Sequence, residues 1–277
     1  KNFNIFYLFE IFLKFILDRK NQILSLGIYR VFSDIVNKEI FEIIEKGTFK
    51  RVIMPYEAQP FQKKIILNLK KKYRKIKIIS YLNAIQPFPI HLYNKDIIPD
   101  HSYSVSRSQI YQMTQIFNWD KNKISLIKSH KFIKDNLDKY NNKIVLPHYI
   151  NNKKKILDTL NQIIKSRPKN FFTKLEIAPH PVGKNNNNYK NFVNILENKL
   201  SILSNKFTLK KKKQCFVIGS TSSVFEALEL GIEVYHIVED AYLEAVENYF
   251  WPSVKVKKLN DNLFVYKKVS SKVLINY

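Results

Sequence analysis

Gly219-Ser220-Thr221-Ser222-Ser223 follows the apolar run Cys215-Phe216-Val217-Ile218 and precedes a helical pattern that continues to Leu230. A strand that stops at glycine and turns at once into a helix sets unpaired N–H groups and a positive dipole end beside hydroxyls. That combination suits a phosphate group. Ser220, Thr221, Ser222 and Ser223 are therefore candidate phosphate ligands. Glu226, one turn or less into the helix, is placed to reach a ribose hydroxyl. The same residues also have a purely local use. Hydroxyls cap helices, and Ser223 with Glu226 has the Ser-x-x-Glu spacing of a capping box. Spacing alone leaves both uses open.

A second stretch, Glu176-Ile177-Ala178-Pro179-His180-Pro181, runs an apolar strand into a histidine held between prolines. An imidazole fixed at a sheet end can donate to a phosphate or protonate a leaving group, because its charge changes near neutral pH. An ordinary loop histidine is the plain alternative. His91, His101, His130, His148 and His236 show no metal-ligand spacing. A third stretch, Met54-Pro55-Tyr56-Glu57-Ala58-Gln59-Pro60, puts Glu57 between a strand and a helix. A carboxylate there can act as general base for a hydroxyl, or can simply favour the helix start through the dipole.

Other chemistries lack their signatures. The chain has no Gly-x-x-x-x-Gly-Lys, no Gly-x-Gly-x-x-Gly, no Gly-x-Ser-x-Gly and no Asp-x-Asp. These absences weigh against kinase, ATPase, dehydrogenase and serine-hydrolase readings, and leave no aspartate pair for a metal–diphosphate.

The elements that must position these residues alternate short apolar runs with helical patterns, which predicts α/β architecture. In the first half, strands are expected at Arg51–Pro55, Lys75–Tyr81, Ser102–Ser106, Ile124–Ile127 and Lys143–Leu146, with helices at Gln59–Tyr73 and Ser108–Trp119. Gln86–Pro99 is Pro-rich and irregular. In the second half, helices are expected at Asn152–Ser166, Tyr189–Ser204, Ser222–Leu230 and Ala241–Tyr249. Strands are expected at Phe171–Ala178, Cys215–Ile218 and Glu233–Val238, with an edge strand at Leu263–Lys267. Gly231 suits the left-handed residue that ends a helix. Lys184–Asn188 and Lys210–Lys213 read as polar surface loops. The preferred boundary between two α/β units lies at 130–150, giving domains 1–140 and 141–277.

At 277 residues, with 45% hydrophobic and 14% aromatic content, the chain can bury a full core. Its net charge of +24 comes almost wholly from lysine, since six of the 47 basic residues are arginine. Abundant Lys, Asn and Ile together suit an AT-rich genome, and a basic surface attracts nucleotides, anionic membranes and nucleic acid. Scarce arginine and the lack of a helix-turn-helix or zinc-finger pattern argue against specific nucleic-acid reading. The lone Cys215 excludes an internal disulfide and fits a buried strand in a reducing cytoplasm. Residues 1–18 are strongly apolar but interrupted by Glu10 and Lys14. They read as an amphipathic or buried helix rather than a signal peptide or spanning segment, so the chain is expected to begin inside a domain.

Taken together, Ala178-Pro179-His180-Pro181 and Gly219–Gly231 resemble the donor half of GT-B glycosyltransferases of bacterial surface-carbohydrate biosynthesis. Residues 56–124, from Tyr56-Glu57-Ala58-Gln59 through Ser104-Val105-Ser106-Arg107, resemble their acceptor half. The His-Pro and Ser-Ser elements are similar to those of bacterial sialyltransferases and Kdo transferases. The resemblance implies two Rossmann-type domains facing a cleft, the N-terminal one truncated, and a metal-independent transfer from a nucleotide sugar, with CMP-linked sugars among the donors it suggests. It implies phosphate contacts by His180, Pro181, Ser222 and Ser223, and a ribose or helix-start role for Glu226. The acidic residue before glycine that serves those sialyltransferases as base has no counterpart, and Glu57 takes that role by position. No cofactor beyond the nucleotide-sugar co-substrate is expected. The partners expected are the donor, a glycan or lipid-linked acceptor and, peripherally, the anionic inner face of the cytoplasmic membrane. A nucleotide-sugar epimerase of the same architecture and a basic, non-enzymatic binding module for anionic glycan or nucleic acid stay open as alternatives.

Overall fold

In the computed structural model, residues 34–82, 84–93, 96–132, 139–166, 175–204, 213–269 and 273–276 are described. The expected helix over residues 1–18 lies outside them, as do 171–174 of the strand expected from Phe171 and 210–212 of one polar loop. The chain divides into two compact units, one formed by 1–81 with 94–102 and the other by 82–93 with 103–277.

In the first unit a helix over residues 34–45 (α1) precedes β1 (Arg51–Pro55), α2 (Pro60–Lys72) and β2 (Lys77–Leu82). β1 and β2 run parallel, with Ile53 opposite Ile79. α2 turns Ile65, Ile66 and Leu69 inward, the i, i+1, i+4 stripe that a helix packed on a sheet requires. Its entry is clamped by one side chain. Gln62 accepts from the N–H groups of Glu57 (2.9 Å) and Gln59 (3.0 Å), and its amide donates to the Pro55 carbonyl (2.8 Å).

β3 (His101–Ser104), α3 (Arg107–Tyr111) and β4 (Ile124–Leu126) follow. Where one helix is expected to Trp119, α3 passes into a wider π turn, Gln112–Ile116, closed by Phe117 N–H on the Gln112 carbonyl at 3.0 Å. The fully buried Gln112 side chain donates to the Phe250 carbonyl (2.8 Å), a tertiary bond that no local pattern announces.

The second unit is organised by a six-stranded sheet of order β6-β5-β7-β8-β10-β9. Its strands are β5 (Lys143–Val145), β6 (Glu176–Ala178), β7 (Gln214–Ile218), β8 (Glu233–Ile237), β9 (Val254–Asn260) and β10 (Leu263–Lys268). β6, β5, β7 and β8 are mutually parallel, and β10 is antiparallel to both β8 and β9. Every residue of β7 and β8 is buried, as central parallel strands demand. Between them run α4 (Lys153–Ser166), α5 (Asn187–Ser204), α6 (Ser223–Glu229) and α7 (Ala241–Glu244). Ile156, Leu160 and Ile163 of α4 and Phe192 and Leu196 of α5 join Ile144, Phe216, Ile218, Tyr235 and Ile237 of the strands in one core cluster. Cys215 is a free, fully buried strand residue whose thiol is pushed up to about 12 by burial.

The α/β architecture expected from the sequence is therefore observed, with helices alternating with parallel strands in Rossmann-like fashion. Four further elements differ. β9 was not expected, because its exposed lysines 255, 257 and 258 mask the pattern; charged edge strands avoid unwanted pairing. With β9 on the edge, β10 becomes an interior strand. α7 ends at Glu244 rather than Tyr249, because Ala245 is extended (ψ 143°) and Val246 N–H donates to Tyr266 Oη at 3.0 Å. The polar run 184–188 is also no simple loop. A 3-10 turn covers Pro181–Asn185, and α5 starts at Asn187, with Asn186 accepting from Tyr189 N–H at 3.2 Å.

Candidate functional site

The strand order of the second unit decides where a ligand can sit. From β5 the chain passes through α4 to β6 on one side, whereas from β7 it passes through α6 to β8 on the other. Adjacent parallel strands whose connections leave in opposite directions open a crevice at their carboxyl ends. Both stretches expected from the sequence to contact phosphate lie at this edge. Pro147-His148 follows β5, Pro179-His180 follows β6, and Gly219-Ser220 follows β7.

These three loops touch. Gly219 is in the left-handed region (φ +66°), and a Cβ added there would stand 3.2 Å from Pro147 Cγ. Tyr189 of α5 donates to the Pro147 carbonyl (3.0 Å) and accepts from the His180 main-chain N–H (2.9 Å). The rings of His148 and His180 meet edge to face, with centroids 5.8 Å apart. His148 and Tyr189 are the members the sequence did not single out. Their signal was position, since each becomes notable only when β5 is known to lie between β6 and β7.

His180 is half-buried and heads the 3-10 turn that begins at Pro181. Its Nδ1 accepts from Val182 N–H at 3.3 Å, which assigns the ring proton of the neutral form to Nε2. Burial first, then the charges of His148 and Lys131, hold its pKa below the usual imidazole value. The neutral ring thus carries one N–H donor not used by Val182.

The serine-rich loop is arranged differently from a helix cap. Ser222 occupies the N-cap position without a side-chain cap bond, so the Ser223–Glu226 capping box does not form. Val224 N–H donates to Thr221 O (3.4 Å), and Phe225 and Glu226 N–H to Ser222 O (3.0 and 3.2 Å). Ser223 N–H donates to Thr221 Oγ1 at 3.3 Å. The first amides of α6 therefore have internal acceptors, and the donors this loop could offer an anion are hydroxyls and the peptide at Gly219–Ser220. Ser220 is exposed and Ser222 and Ser223 are half-buried.

Glu226 is 5% exposed and directed at the protein's own groups. It accepts from Lys139 Nζ (2.8 Å), Ser222 Oγ (3.2 Å) and the Tyr140 hydroxyl. Burial, and then the Glu226 charge, push the Tyr140 phenol well above its ordinary range. Lys139 and Tyr140 lie far back in the chain, out of reach of any motif search around Glu226.

The start of α4, at the same edge, is closed to anions. Glu239 accepts from the N–H groups of Asn151 (3.1 Å) and Asn152 (2.8 Å) ahead of α4, and Lys155 Nζ donates to its carbonyl at 2.6 Å. A carboxylate already fills the place a phosphate takes in many first βα turns, and like charges repel.

Glu57 belongs to the first unit. It is half-buried and follows β1, beside Ala58, whose φ of +54° is a costly conformation for a residue with a Cβ. It sits outside the first turn of α2, which contains no acidic residue. Among the described residues no group of three or more His, Cys, Asp or Glu side chains is placed to hold a metal ion, and no helix is long and apolar enough to cross a membrane.

Comparison with protein families finds no match for this chain, and comparison with curated proteins finds none either. Among solved structures the chain is similar to a glycosyltransferase from Rickettsia africae ESF-5, at 16% sequence identity and a TM-score of 0.38. The match covers 77% of this chain and 62% of that one, so the chain spans less than two thirds of its length.

Proposed function

We propose that this protein is a glycosyltransferase that moves a sugar from a nucleotide donor to a glycan or lipid-linked acceptor. The observation that carries the reading is the chain of contacts that links the ends of β6, β5 and β7 at the switch point of the sheet: Tyr189 joins His180 to Pro147, and Pro147 packs beside Gly219. Breaking a bond between sugar and phosphate builds negative charge on the departing phosphate oxygen. Donors already aimed at that charge lower the barrier without reorganising. His180 Nε2–H and the hydroxyls of Ser220 and Ser223 are such donors, those of Thr221 and Ser222 join them by turning from Ser223 Oγ and Glu226 (each 3.2 Å), and Lys131 adds positive charge nearby. Pro181 holds the His180 turn. Glu226 supports the loop through Ser222 and reaches the ribose only by leaving one of its present partners.

Residues 141–277 form the donor side of this proposal and 1–140 the acceptor side, with Glu57 as the base that takes the acceptor's proton. The chain contains no Asp-x-Asp pair, and the reaction is written without metal assistance. The similarity to His-Pro and Ser-Ser transferases favours a CMP-linked donor. A net charge of +24 suits a protein that works at the cytoplasmic face of an anionic membrane, where a lipid-linked acceptor is found.

Melting temperature is measured with CMP, UDP, GDP and their sugars, followed by turnover with the stabilising donor. Stabilisation by one nucleotide is expected, and His180→Ala is expected to lower turnover at least about a hundredfold, the scale of losing one preorganised donor. Turnover that survives His180→Ala intact overturns the assignment. Product made without any acceptor points to an epimerase. Salt-sensitive polyanion binding with no nucleotide effect points to a binding module.

A further inference from the structure

We infer that His236 is a positioning residue that holds the Ser220 main-chain N–H outward as an anion donor, so that the phosphate is bound by backbone as well as side chains. The inference rests on the phosphate edge proposed above and adds to it a group that no motif contains.

His236 lies in β8 opposite Val217 of β7 and is fully buried. Its Nε2 is 2.8 Å from the Gly219 carbonyl oxygen and its Nδ1 is 3.2 Å from Tyr266 Oη. A carbonyl only accepts, so the ring proton must be on Nε2. Bare Nδ1 then accepts the Tyr266 hydroxyl proton, and the Tyr266 oxygen accepts Val246 N–H at 3.0 Å. This set of directions leaves every member satisfied, and it requires a neutral ring. Burial favours that form, with the pKa lowered to about 4.

The consequence is carried by the peptide plane. Gly219 is held at both ends, its N–H on the Ile237 carbonyl at 2.9 Å and its carbonyl on His236. No peptide bond among the described residues is cis. In a trans peptide the C=O and the next N–H point in opposite directions. With the Gly219 carbonyl fixed on the buried ring, the Ser220 N–H must point away from it. Ser220 is exposed, and among the described residues nothing accepts from its N–H. This donor belongs to the loop peptide and not to the start of α6, whose amides are internally bonded. It lies at the same strand edge as His148 and His180, whose rings meet edge to face. The ligand class is a phosphate oxygen, whether of inorganic phosphate or of a nucleotide.

The test uses amide NMR on the whole ¹⁵N-labelled chain titrated with inorganic phosphate and, separately, with CMP. In the wild type the Ser220 amide proton is expected to move downfield on saturation, as an N–H does when it donates to an anion. His236→Phe fills the space without a donor and is expected to weaken phosphate affinity at least about tenfold, a change of about 1.4 kcal/mol. His236→Gln, whose amide can donate to Gly219 O, is expected to restore part of both effects. Should the phenylalanine variant not fold, the wild type and His236→Gln decide alone. A Ser220 amide that does not move at saturation overturns the inference, as does a folded His236→Phe that binds like the wild type. Failure of the wild type to bind either probe overturns it too. If phosphate moves Ser220 in a His236-dependent way while no nucleotide sugar is turned over, the inference stands and the transferase reading falls.

Discussion

The phenol of Tyr189 donates to the carbonyl of Pro147 at 3.0 Å, and this bond ties the start of α5 to the end of β5. The same oxygen accepts the His180 N–H, so one buried hydroxyl holds two neighbouring strand ends at a set spacing. The ring can reach this position because Gly183 has no side chain. A Cβ there would come within 2.6 Å of it.

Tyr189→Phe keeps the ring and removes the bridge. It leaves the His180 N–H and the Pro147 carbonyl without their shared partner, which costs about 1–3 kcal/mol. Chemical denaturation is expected to show that loss with an unchanged m-value. Nucleotide binding is expected to weaken as well, because the His180 turn is no longer held. A variant with wild-type midpoint and wild-type binding contradicts the bridging role.

Gly219→Ala introduces a Cβ at φ +66°, close to Pro147. The left-handed region costs an L-residue about 1–2 kcal/mol, and the contact adds to it. The Gly219 peptide sets the Ser220 N–H, so donor affinity is expected to fall by more than overall stability would explain. Paired measurements of melting temperature and nucleotide affinity check this. Affinity falling only in step with stability contradicts it.

His236 makes stability depend on pH in a defined direction. Its folded pKa is lowered to about 4, whereas an unfolded histidine titrates near 6.5. Between these values the unfolded chain binds a proton that the native state refuses. Stability is therefore full above about pH 6.5 and is lost as pH falls toward 4, by on the order of 3 kcal/mol across the window. Denaturation midpoints at pH 7 and pH 4.5 are expected to differ more in the wild type than in His236→Gln. Equal slopes in the two proteins contradict a buried neutral ring.

Much of this molecule is legible in its residues. The all-apolar β7 and β8, the strand stop at Gly219 and the left-handed end at Gly231 (φ +72°) are local events, set by hydrophobic burial and by glycine's freedom from a Cβ. The α/β alternation follows from them, and so does the placing of Pro181 and Ser220–Ser223 just beyond strand ends. Elements whose partners are distant in the chain are not legible in this way. The lysines of β9 conceal an edge strand, and Tyr266 ends α7 early by taking the Val246 N–H.

The site divides in the same way. The sequence places His180 and the serine loop at strand ends in the same half of the chain and groups them as one expected phosphate site, and it leaves Glu226 as either a cap or a ribose contact. Strand order puts β5 between β6 and β7, and with that His148 and Pro147 stand beside the candidate residues. Folding also turned Glu226 toward Lys139 and Tyr140, and buried His236 against Gly219. Residue type and spacing govern what a segment of chain can do alone. Which N–H stays unpaired, and in which direction it points, depends on hydrogen bonds closed across the sheet between residues far apart in the chain.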